Sequence, residues 1–241
     1  MIELEPLRGL PEIRPGDDLA ALLSACGAEL LPTDVLVIAH KVVSKAEGRV
    51  VRLADVAPGT RATELAAEHG KDPRAVEVIL SEATELVRAD AGRLICRTRH
   101  GFVCANAGVD ASNAGAADTL VLLPLDPDAS ARALRGRLGC AVVISDSFGR
   151  AWRKGQSEVA IGCAGLTPLR DHRGEPDVDG REMRASVIAI ADEAAAAADL
   201  VRGKDTGEPA VRLRGLERWV LPDDGPGVAA LIRPPEQDLF S

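Results

Sequence analysis

The sequence predicts an α+β fold in which mixed sheets and helices form two interwoven subdomains of one compact chain. A chain of 241 residues can form one large domain or two small ones. The strands and helices predicted below do not alternate strictly, which disfavours a doubly wound parallel sheet. Hydrophobic residues make up 46% of the chain but aromatic residues only 2%, so the core must be largely aliphatic. We treat residues 1–241 as one domain.

Helical spacing of apolar residues identifies the helices. In the first segment, Asp17 or Asp18 can cap a helix that carries Leu19, Leu22 and Leu23 on one face. The other predicted helical segments are Arg61 to Arg88, with a break at Lys71-Asp72-Pro73, Asp128 to Leu138 and Met183 to Leu200.

Short β-branched or alternating runs bounded by turn residues identify the strands. The predicted strands are Val35 to Ala39, Arg93 to Arg97, Gly101 to Asn106, Thr119 to Leu123, Ala141 to Ser145, Ala210 to Arg214 and Val228 to Ile232. A polar turn at Thr98 to His100 would join the second and third of these into a hairpin. The longest irregular stretch, Arg170 to Arg181, is rich in glycine and charge and is predicted to be a mobile loop.

Charge and hydropathy exclude two classes of partner. The formal net charge is −8, whereas a nucleic-acid partner requires a basic surface. The N-terminal MIELEPLRGL carries glutamates where a signal peptide would be basic and then apolar. The most apolar helical stretch, Ala185 to Val201, contains Asp192, Glu193 and Asp199 and therefore cannot span a bilayer. We expect a cytoplasmic protein without a membrane or nucleic-acid partner.

The cysteines do not form a recognisable ligand or disulfide pattern. They are odd in number, widely spaced and without a CxxC pair: Cys26, Cys96, Cys104, Cys140 and Cys163. Neither a disulfide framework nor a zinc site is indicated. Buried free thiols in a reducing compartment are the expected state.

The chain has no P-loop and no Rossmann glycine fingerprint, so any nucleotide must be held by other means. In CAVVISDSFGRAWRKGQS, Asp146 and Ser147 follow the predicted strand Ala141 to Ser145. A carboxylate at the carboxyl end of a buried strand can hold a divalent cation beside a crevice. The alternative is that Asp146 caps the next turn.

Arg150, Arg153 and Lys154 form a basic cluster shortly after Asp146, beside Gly149 and Gly155. Cations beside a carboxylate that can bind metal are typical of a phosphate site. An ordinary solvated face is the alternative.

The segment GVDASNAG has the same layout, because Asp110 and Asn113 follow the predicted strand that ends at Asn106. Taken alone, this segment is explained by an Asx-turn. Paired with Asp146, however, Asp110 would complete the carboxylate pair that a magnesium- or manganese-assisted phosphoryl transfer needs.

A third polar segment follows the strand Val35 to Ala39 and contains His40, Lys41, Ser44 and Lys45. Its lysines could neutralise phosphate oxygens, or could serve only surface solubility. His40 has no cysteine or histidine neighbour at ligand spacing, so zinc binding is not indicated.

Five separated segments, in order along nearly the whole chain, resemble one family. They are GLPEIRPGDDL (9–19), VIAHKVVSKAEGR (37–49), AGVDASN (107–113), ISDSFGRAWRKGQ (144–156) and RPPEQDLF (233–240). The family is that of the coenzyme F420-0:L-glutamate ligases, or gamma-glutamyl ligases of deazaflavin coenzyme biosynthesis. In actinobacterial relatives this domain is fused to a flavin-binding nitroreductase-like domain, which these 241 residues would not include.

The resemblance implies a GTP-dependent ligase that joins L-glutamate to a deazaflavin phospholactate through an acyl phosphate, and then adds a gamma-linked glutamate. It also implies an α+β homodimer that uses magnesium or manganese, with potassium as a further ion. No protein nucleophile is needed for such a reaction, because the carboxylate is activated by phosphorylation.

The resemblance also implies the following site residues. Nucleotide contacts would come from Leu10, Pro11, Glu12, Ile13, His40, Lys45 and Asn113. Metal contacts would come from Asp110, Asp146 and Ser147. Arg150, Arg153 and Lys154 are our own candidates for phosphate or substrate contacts.

Two positions depart from the family pattern. His40 stands where relatives often have a small hydroxylated residue, and Lys204 stands where archaeal members have a ligand of a second metal. Asp205 or Glu208 could replace that ligand, or phosphates could hold the metal. Two other functions remain open: a related ligase with another acceptor, and a non-catalytic module that binds nucleotide or deazaflavin.

Overall fold

The fold was analysed in a computed structural model that describes residues 1–112, 114–115 and 117–238. Its α-helices are α1 Leu19–Ala25, α2 His40–Ala46, α3 Thr60–His69, α4 Pro73–Glu82, α5 Pro127–Leu138 and α6 Ile190–Asp199. Its strands are β1 Glu3–Pro6, β2 Val35–Ala39, β3 Val50–Arg52, β4 Ala83–Asp90, β5 Arg93–Thr98, β6 Val103–Ala105, β7 Thr119–Val121, β8 Ala141–Arg150, β9 Arg153–Ala164, β10 Arg170–Asp171, β11 Val187–Ile188 and β12 Ala210–Arg214. The predicted α+β class is confirmed.

A five-stranded mixed sheet in the order β1-β12-β2-β8-β9 forms the centre of the molecule. β2 and β8 are its one parallel pair within the described part of the chain, with Val35 opposite Ala141 and Ala39 opposite Ser145. Val35 to Ile38 of β2 and Ala141 to Ile144 of β8 are apolar and buried because both faces of the sheet are covered there. Helices α5 and α6 pack against β9, and α1 packs against α5.

A second, smaller hydrophobic core lies between α3, α4 and the sheet β4-β5-β6. Val76 and Leu94 are wholly buried there, as is Cys96. A separate two-stranded sheet, β3-β7, contributes Leu120 to the same core. The chain crosses between the two cores several times, and the strand β7 ends close to residues that lead into α5.

Asp18 caps the first helix, as predicted, by accepting a hydrogen bond from the Ala21 amide at 3.1 Å. The strands predicted at Val35 to Ala39 and Ala210 to Arg214 have the predicted bounds. The predicted hairpin corresponds to β5 and β6. In the described part of the chain, no helix is long and apolar enough to cross a membrane.

Several predicted segments were wrong in type or extent, including the strand predicted at Ala141 to Ser145, which continues to Arg150. Residues 83–88 form strand β4 rather than helix, because they pair with β5, where Leu86 faces Cys96. Val228–Leu231 is a 3-10 helix rather than a strand, and the Val228 amide donates a hydrogen bond to the Asp128 carboxylate instead of to a strand partner. The last long helix begins at Ile190 because Val187 and Ile188 pair with β10.

The segment predicted to be irregular has regular pairing at its base. Strand β10 begins it and pairs antiparallel with β11, and further backbone bonds join His172 to Ser186 and Gly174 to Met183. The segment is therefore a paired arm rather than an unstructured loop. Its mobility stays a prediction.

Candidate active site

The candidate site forms where the parallel strands β2 and β8 separate. Ala39 lies opposite Ser145 at the end of their pairing, so the next residues, His40 and Asp146, are neighbours. β2 continues directly into α2, whereas β8 continues to Arg150 paired with β9 alone. The prediction that the strand ends at Asp146 was therefore wrong. Asp146 lies where the parallel pairing of β8 with β2 ends, and a crevice opens there.

His40 is almost completely buried, with 2% of its surface exposed. Its Nε2 atom lies 3.3 Å from Asp146 Oδ1, and its Nδ1 atom lies 3.3 Å from Ser44 Oγ. Nε2 has no well-aligned hydrogen bond within the described residues. His40 therefore lies next to the Asp146 carboxylate, which is predicted to bind metal. The sequence alone did not predict this contact.

A strained turn carries Asp110 into the same crevice. Asn106, Ala107 and Gly108 have positive φ angles of 54°, 54° and 73°, of which only the last is at glycine. A Cβ on Gly108 would lie 2.6 Å from Leu123 Cγ, so close packing against Leu123 requires glycine there. Two backbone hydrogen bonds to Val121, at 2.8 and 3.0 Å, then fix Asp110.

The Asp110 side chain has a dense set of partners. Its Oδ2 lies 2.7 Å from the Lys41 ammonium, and its Oδ1 accepts a 2.7 Å hydrogen bond from the Ser112 amide. Burial acts to raise the pKa of Asp110, but the Lys41 and Ser112 contacts outweigh it and hold that pKa below its usual value. The Asx-turn expected for this segment is therefore present, together with an ion pair from α2.

Ser147 belongs to a second hydrogen-bonded group in the crevice. Its hydroxyl donates to Glu158 Oε1 and accepts a hydrogen bond from the Lys204 ammonium. Glu158 and Arg202 are 5% and 6% exposed, and Glu158 Oε2 lies 2.6 Å from Arg202 Nη2. A buried ion pair thus supports the strand segment that presents Asp146 and Ser147.

The predicted nucleotide segment, Leu10 to Ile13, also lines this crevice. Within it, Glu12 Oε1 lies 2.6 Å from the Lys45 ammonium. A Cβ on Gly115 would lie 3.1 Å from the same Glu12 oxygen, so the Asp110 loop passes close to this ion pair. Loop and nucleotide segment therefore meet at Glu12.

Together these groups enclose a cavity of about 820 Å³. The predicted site residues that line it are Leu10, Pro11, Glu12, Ile13, His40, Lys45, Asp110, Asp146 and Ser147. Asn113, also predicted to contact nucleotide, lies outside the described residues. The size and the mixture of acidic and basic walls suit a polar ligand such as a nucleotide.

Arg150, Arg153 and Lys154 do not line the cavity. β8 and β9 extend beyond the central sheet as a hairpin, and these exposed residues lie at its tip. Arg150 Nη2 donates a 2.8 Å hydrogen bond to the Lys154 carbonyl oxygen, which ties the tip together. Their predicted phosphate role therefore has no support from their position within this one chain.

The carboxylates fit a divalent cation in one particular mode. Within the described ranges, no three His, Cys, Asp or Glu side chains converge into a complete ligand set. Magnesium, however, is usually held by one or two carboxylates, with water and phosphate oxygens as its other ligands. Asp110 and Asp146 line one cavity and supply hard oxygen donors of this kind.

The cavity-lining thiol is unsuited to nucleophilic catalysis. Burial, together with the charge of Asp146, raises the pKa of Cys104 to about 12. All five cysteines are free, and four of them are buried, as the sequence predicted. The cavity thus offers carboxylates and cations rather than an activated nucleophile.

A family model described as F420-0:Gamma-glutamyl ligase matches residues 9–215, which include every wall of the cavity. This chain belongs to the F420-0:gamma-glutamyl ligase family. The predicted family membership is confirmed, although the C-terminal segment 233–240 lies outside the matched range.

Curated relatives of the family match over most of their length. The Methanothermobacter thermautotrophicus protein named Coenzyme F420:L-glutamate ligase is 45% identical over 251 residues, covering 99% of this chain and 98% of its own. The Methanopyrus kandleri protein of that name is 47% identical and covers 99% and 97%. The Halobacterium salinarum protein of that name is 47% identical and covers 87% and 85%.

Two cavity residues of this F420-0:gamma-glutamyl ligase family member, Glu158 and Arg202, were missed in the sequence, and they form the buried ion pair. A single charged residue followed by the apolar run Val159 to Ala164 could have indicated Glu158. Its partner Arg202 is far away in sequence, and no local pattern identifies it. Lys41 and Lys204 were noted in the sequence, but not their contacts with Asp110 and Ser147.

Proposed function

We propose that this protein is a GTP-dependent ligase that joins L-glutamate to the terminal carboxylate of the deazaflavin phospholactate F420-0. The observation that carries the proposal is the pair of carboxylates, Asp110 and Asp146, on the walls of one cavity that also holds Lys41 and Lys45. The family description names F420-0, and the names of the curated relatives include L-glutamate. A second, gamma-linked glutamate would be added by the same chemistry.

The first step is phosphorylation of the acceptor. A carboxylate oxygen of F420-0 attacks the γ-phosphorus of GTP, the bond to the β–γ bridging oxygen breaks, and GDP leaves with that oxygen. The Lys45 ammonium, now 2.6 Å from Glu12, can bind phosphate oxygens once the nucleotide is in place. Asp110 and Asp146 would hold Mg²⁺ or Mn²⁺, which supplies charge neutralisation for the transferred phosphoryl group.

The second step forms the amide. The neutral amine of L-glutamate attacks the carbonyl carbon of the acyl phosphate, the carbon–oxygen bond to phosphate breaks, and inorganic phosphate leaves. One proton from the amine nitrogen is released to solvent or phosphate. Cys104 is not a nucleophile at neutral pH, because its pKa is raised to about 12. This chain would therefore contribute orientation and positive charge rather than a covalent intermediate.

We infer a cytoplasmic homodimer, with K⁺ as a further activating ion. Light scattering of the purified protein tests the dimer, and replacing potassium with sodium in the assay tests the ion. The net charge of −8 supports the expectation that neither nucleic acid nor an anionic membrane is a partner.

The deciding experiment is a ligase assay read by mass spectrometry. Purified protein is incubated with GTP, Mn²⁺, L-glutamate and F420-0, and we expect a product heavier by one or more glutamyl residues together with stoichiometric GDP. ATP in place of GTP tests the nucleotide preference. GDP release without glutamyl mass gain would favour a related ligase with another acceptor, and nucleotide binding without either product would favour a non-catalytic module.

A further inference from the structure

The basic side chains that line the cavity differ in whether a carboxylate of this chain already pairs with their positive charge. Lys45 lies 2.6 Å from Glu12, Lys41 lies 2.7 Å from Asp110, and Arg202 is paired with Glu158. Lys204 instead donates its hydrogen bond to the Ser147 hydroxyl. Among the residues that the structure describes, the Lys204 ammonium takes part in no ion pair with a carboxylate. Its charge is therefore available to an incoming anion.

The groups around Lys204 cannot neutralise it indirectly. The Ser147 hydroxyl uses its proton for Glu158, and Glu158 Oε2 lies 2.6 Å from Arg202 Nη2. Because Glu158 and Arg202 are 5% and 6% exposed, their pairing is close and fixed. Ser147 therefore presents to Lys204 only the dipole of a hydroxyl whose orientation Glu158 sets.

The backbone that carries Lys204 is a short loop after α6. Thr206 Oγ1 donates a 3.1 Å hydrogen bond to the Gly203 carbonyl oxygen, which closes the loop on itself. A Cβ on Gly203 would lie 2.5 Å from Thr206 Cγ2. The loop thus has a defined shape, while the Lys204 side chain is exposed and can exchange the Ser147 hydroxyl for a ligand oxygen.

We propose that Lys204 is a further catalytic residue of the ligase reaction proposed above and binds a carboxylate oxygen of the acceptor substrate. Its neighbours come from β8 and β9, whereas the predicted nucleotide segment contacts Lys45 of α2. A carboxylate that approaches a triphosphate is repelled by it, and an ammonium on the carboxylate offsets that repulsion. Lys204 moves its hydrogen bond from Ser147 to the carboxylate and then to the acyl phosphate, without transferring a proton.

The test compares Lys204→Gln with Lys71→Gln, a lysine on the α3–α4 connection outside the cavity. We expect K204Q to lower kcat/KM for F420-0 by about 100-fold, the scale of losing one hydrogen bond between charged groups. Most of this loss should appear as a higher KM or weaker calorimetric binding of F420-0. Binding of a non-hydrolysable GTP analogue should stay within about twofold of wild type, and K204R should recover part of the activity.

Two results would overturn the proposal. K204Q could behave like K71Q, or it could weaken binding of the GTP analogue while leaving F420-0 binding unchanged, which would place Lys204 on the nucleotide. Thermal denaturation of each variant shows whether it is folded. Calorimetric binding of F420-0 to wild type and K204Q keeps this proposal testable even if the wild-type protein forms no glutamylated product, the outcome that would reject the proposed function.

Discussion

The Lys41 ammonium lies 2.7 Å from Asp110 Oδ2 and so occupies one of the oxygens expected to hold a divalent cation. α2 begins at the end of β2 and delivers Lys41 to this position, while the Asp110 carboxylate is held by the Ser112 amide. The two cations must therefore compete for, or share, one carboxylate. Because of this competition, the role of Asp110 can be tested by measuring metal affinity, without an assay of ligase activity.

We predict that Lys41→Met strengthens Mn²⁺ binding to the nucleotide-free protein by at least about threefold, because a competing positive charge within a few ångströms is removed. Electron paramagnetic resonance of free Mn²⁺ measures the affinity directly. Lys71→Met is the matched control and should leave the affinity unchanged. Weaker or unchanged Mn²⁺ binding in K41M would contradict the assignment of Asp110 as a metal ligand.

A second prediction concerns Asp146, whose carboxylate lies beside His40 and is only 15% exposed. Asp146→Asn keeps the shape of the side chain but removes its charge, so we expect turnover to fall by at least about 100-fold with little change in thermal stability. Asp179→Asn, on the exposed arm between β10 and β11, is the control. Wild-type turnover in D146N would exclude Asp146 as a metal ligand.

Local sequence patterns predicted the parts of the fold that depend on local chemistry. β2 and β12 have the predicted bounds because β2 is an apolar run and β12 alternates apolar residues with arginines. Strand β4 was predicted as helix, since its identity depends on pairing with β5 and not on its own periodicity. Pairing in the hairpin with β9 likewise carries β8 past Asp146 to Arg150, through polar residues that were not predicted to be strand.

In the candidate site, too, local sequence predicted some features, and contacts between distant residues determine the others. The similarity between the segments around Asp110 and Asp146 predicted that both would reach one cavity, which the structure bears out in position. Their ligand role stays a prediction. The bonds from Lys204 to Ser147 and from Arg202 to Glu158 connect residues far apart in the chain, so only the folded structure brings them together.

A third prediction concerns Gly108, which precedes Asp110 by two residues and has a φ of 73°. A Cβ there would lie 2.6 to 2.8 Å from the side chain of Leu123. Gly139 has nearly the same φ, 74°, but a Cβ there would have no neighbour within 4 Å. The two alanine variants therefore share the backbone strain and differ in crowding.

Gly108→Ala should thus be less stable than Gly139→Ala by about 1–3 kcal/mol, the usual cost of overpacking a core position. Because the displaced backbone carries Asp110, G108A should also lose ligase activity and Mn²⁺ affinity, whereas G139A should keep both. Urea unfolding and the binding assay measure these effects. Equal stability and equal activity of the two variants would show that Leu123 does not restrict this turn.

The last prediction concerns Asp192, in the first turn of α6, which accepts a 2.9 Å hydrogen bond from the Ala160 amide. Ala160 lies opposite Ser145, and Ile161 is the extra residue of a bulge at this point of the β8–β9 pairing. The bulge sets which residues of β8 and β9 face the cavity. We therefore expect Asp192 to position Asp146 and its neighbours from outside the cavity.

Burial raises the pKa of Asp192, although the Ala160 hydrogen bond opposes this effect. The folded protein then binds this proton more tightly than the unfolded chain, so ionisation of Asp192 reduces stability as the pH rises through its folded pKa. Asp192→Asn keeps an acceptor without the charge and should be at least as stable as wild type at pH 7. That advantage should shrink as the pH falls through the folded pKa toward the ordinary value of 3.8.

Asp192→Ala removes the acceptor and leaves the Ala160 amide without its partner, which should cost about 1–3 kcal/mol at every pH. Urea unfolding of the three proteins at a series of pH values from neutral to about 4 separates charge from hydrogen bonding. If the bulge positions Asp146, ligase activity at pH 7 should follow the hydrogen bond, with D192N active and D192A impaired. Equal loss of stability and activity in D192N and D192A would instead mean that the charge of Asp192 holds the bulge.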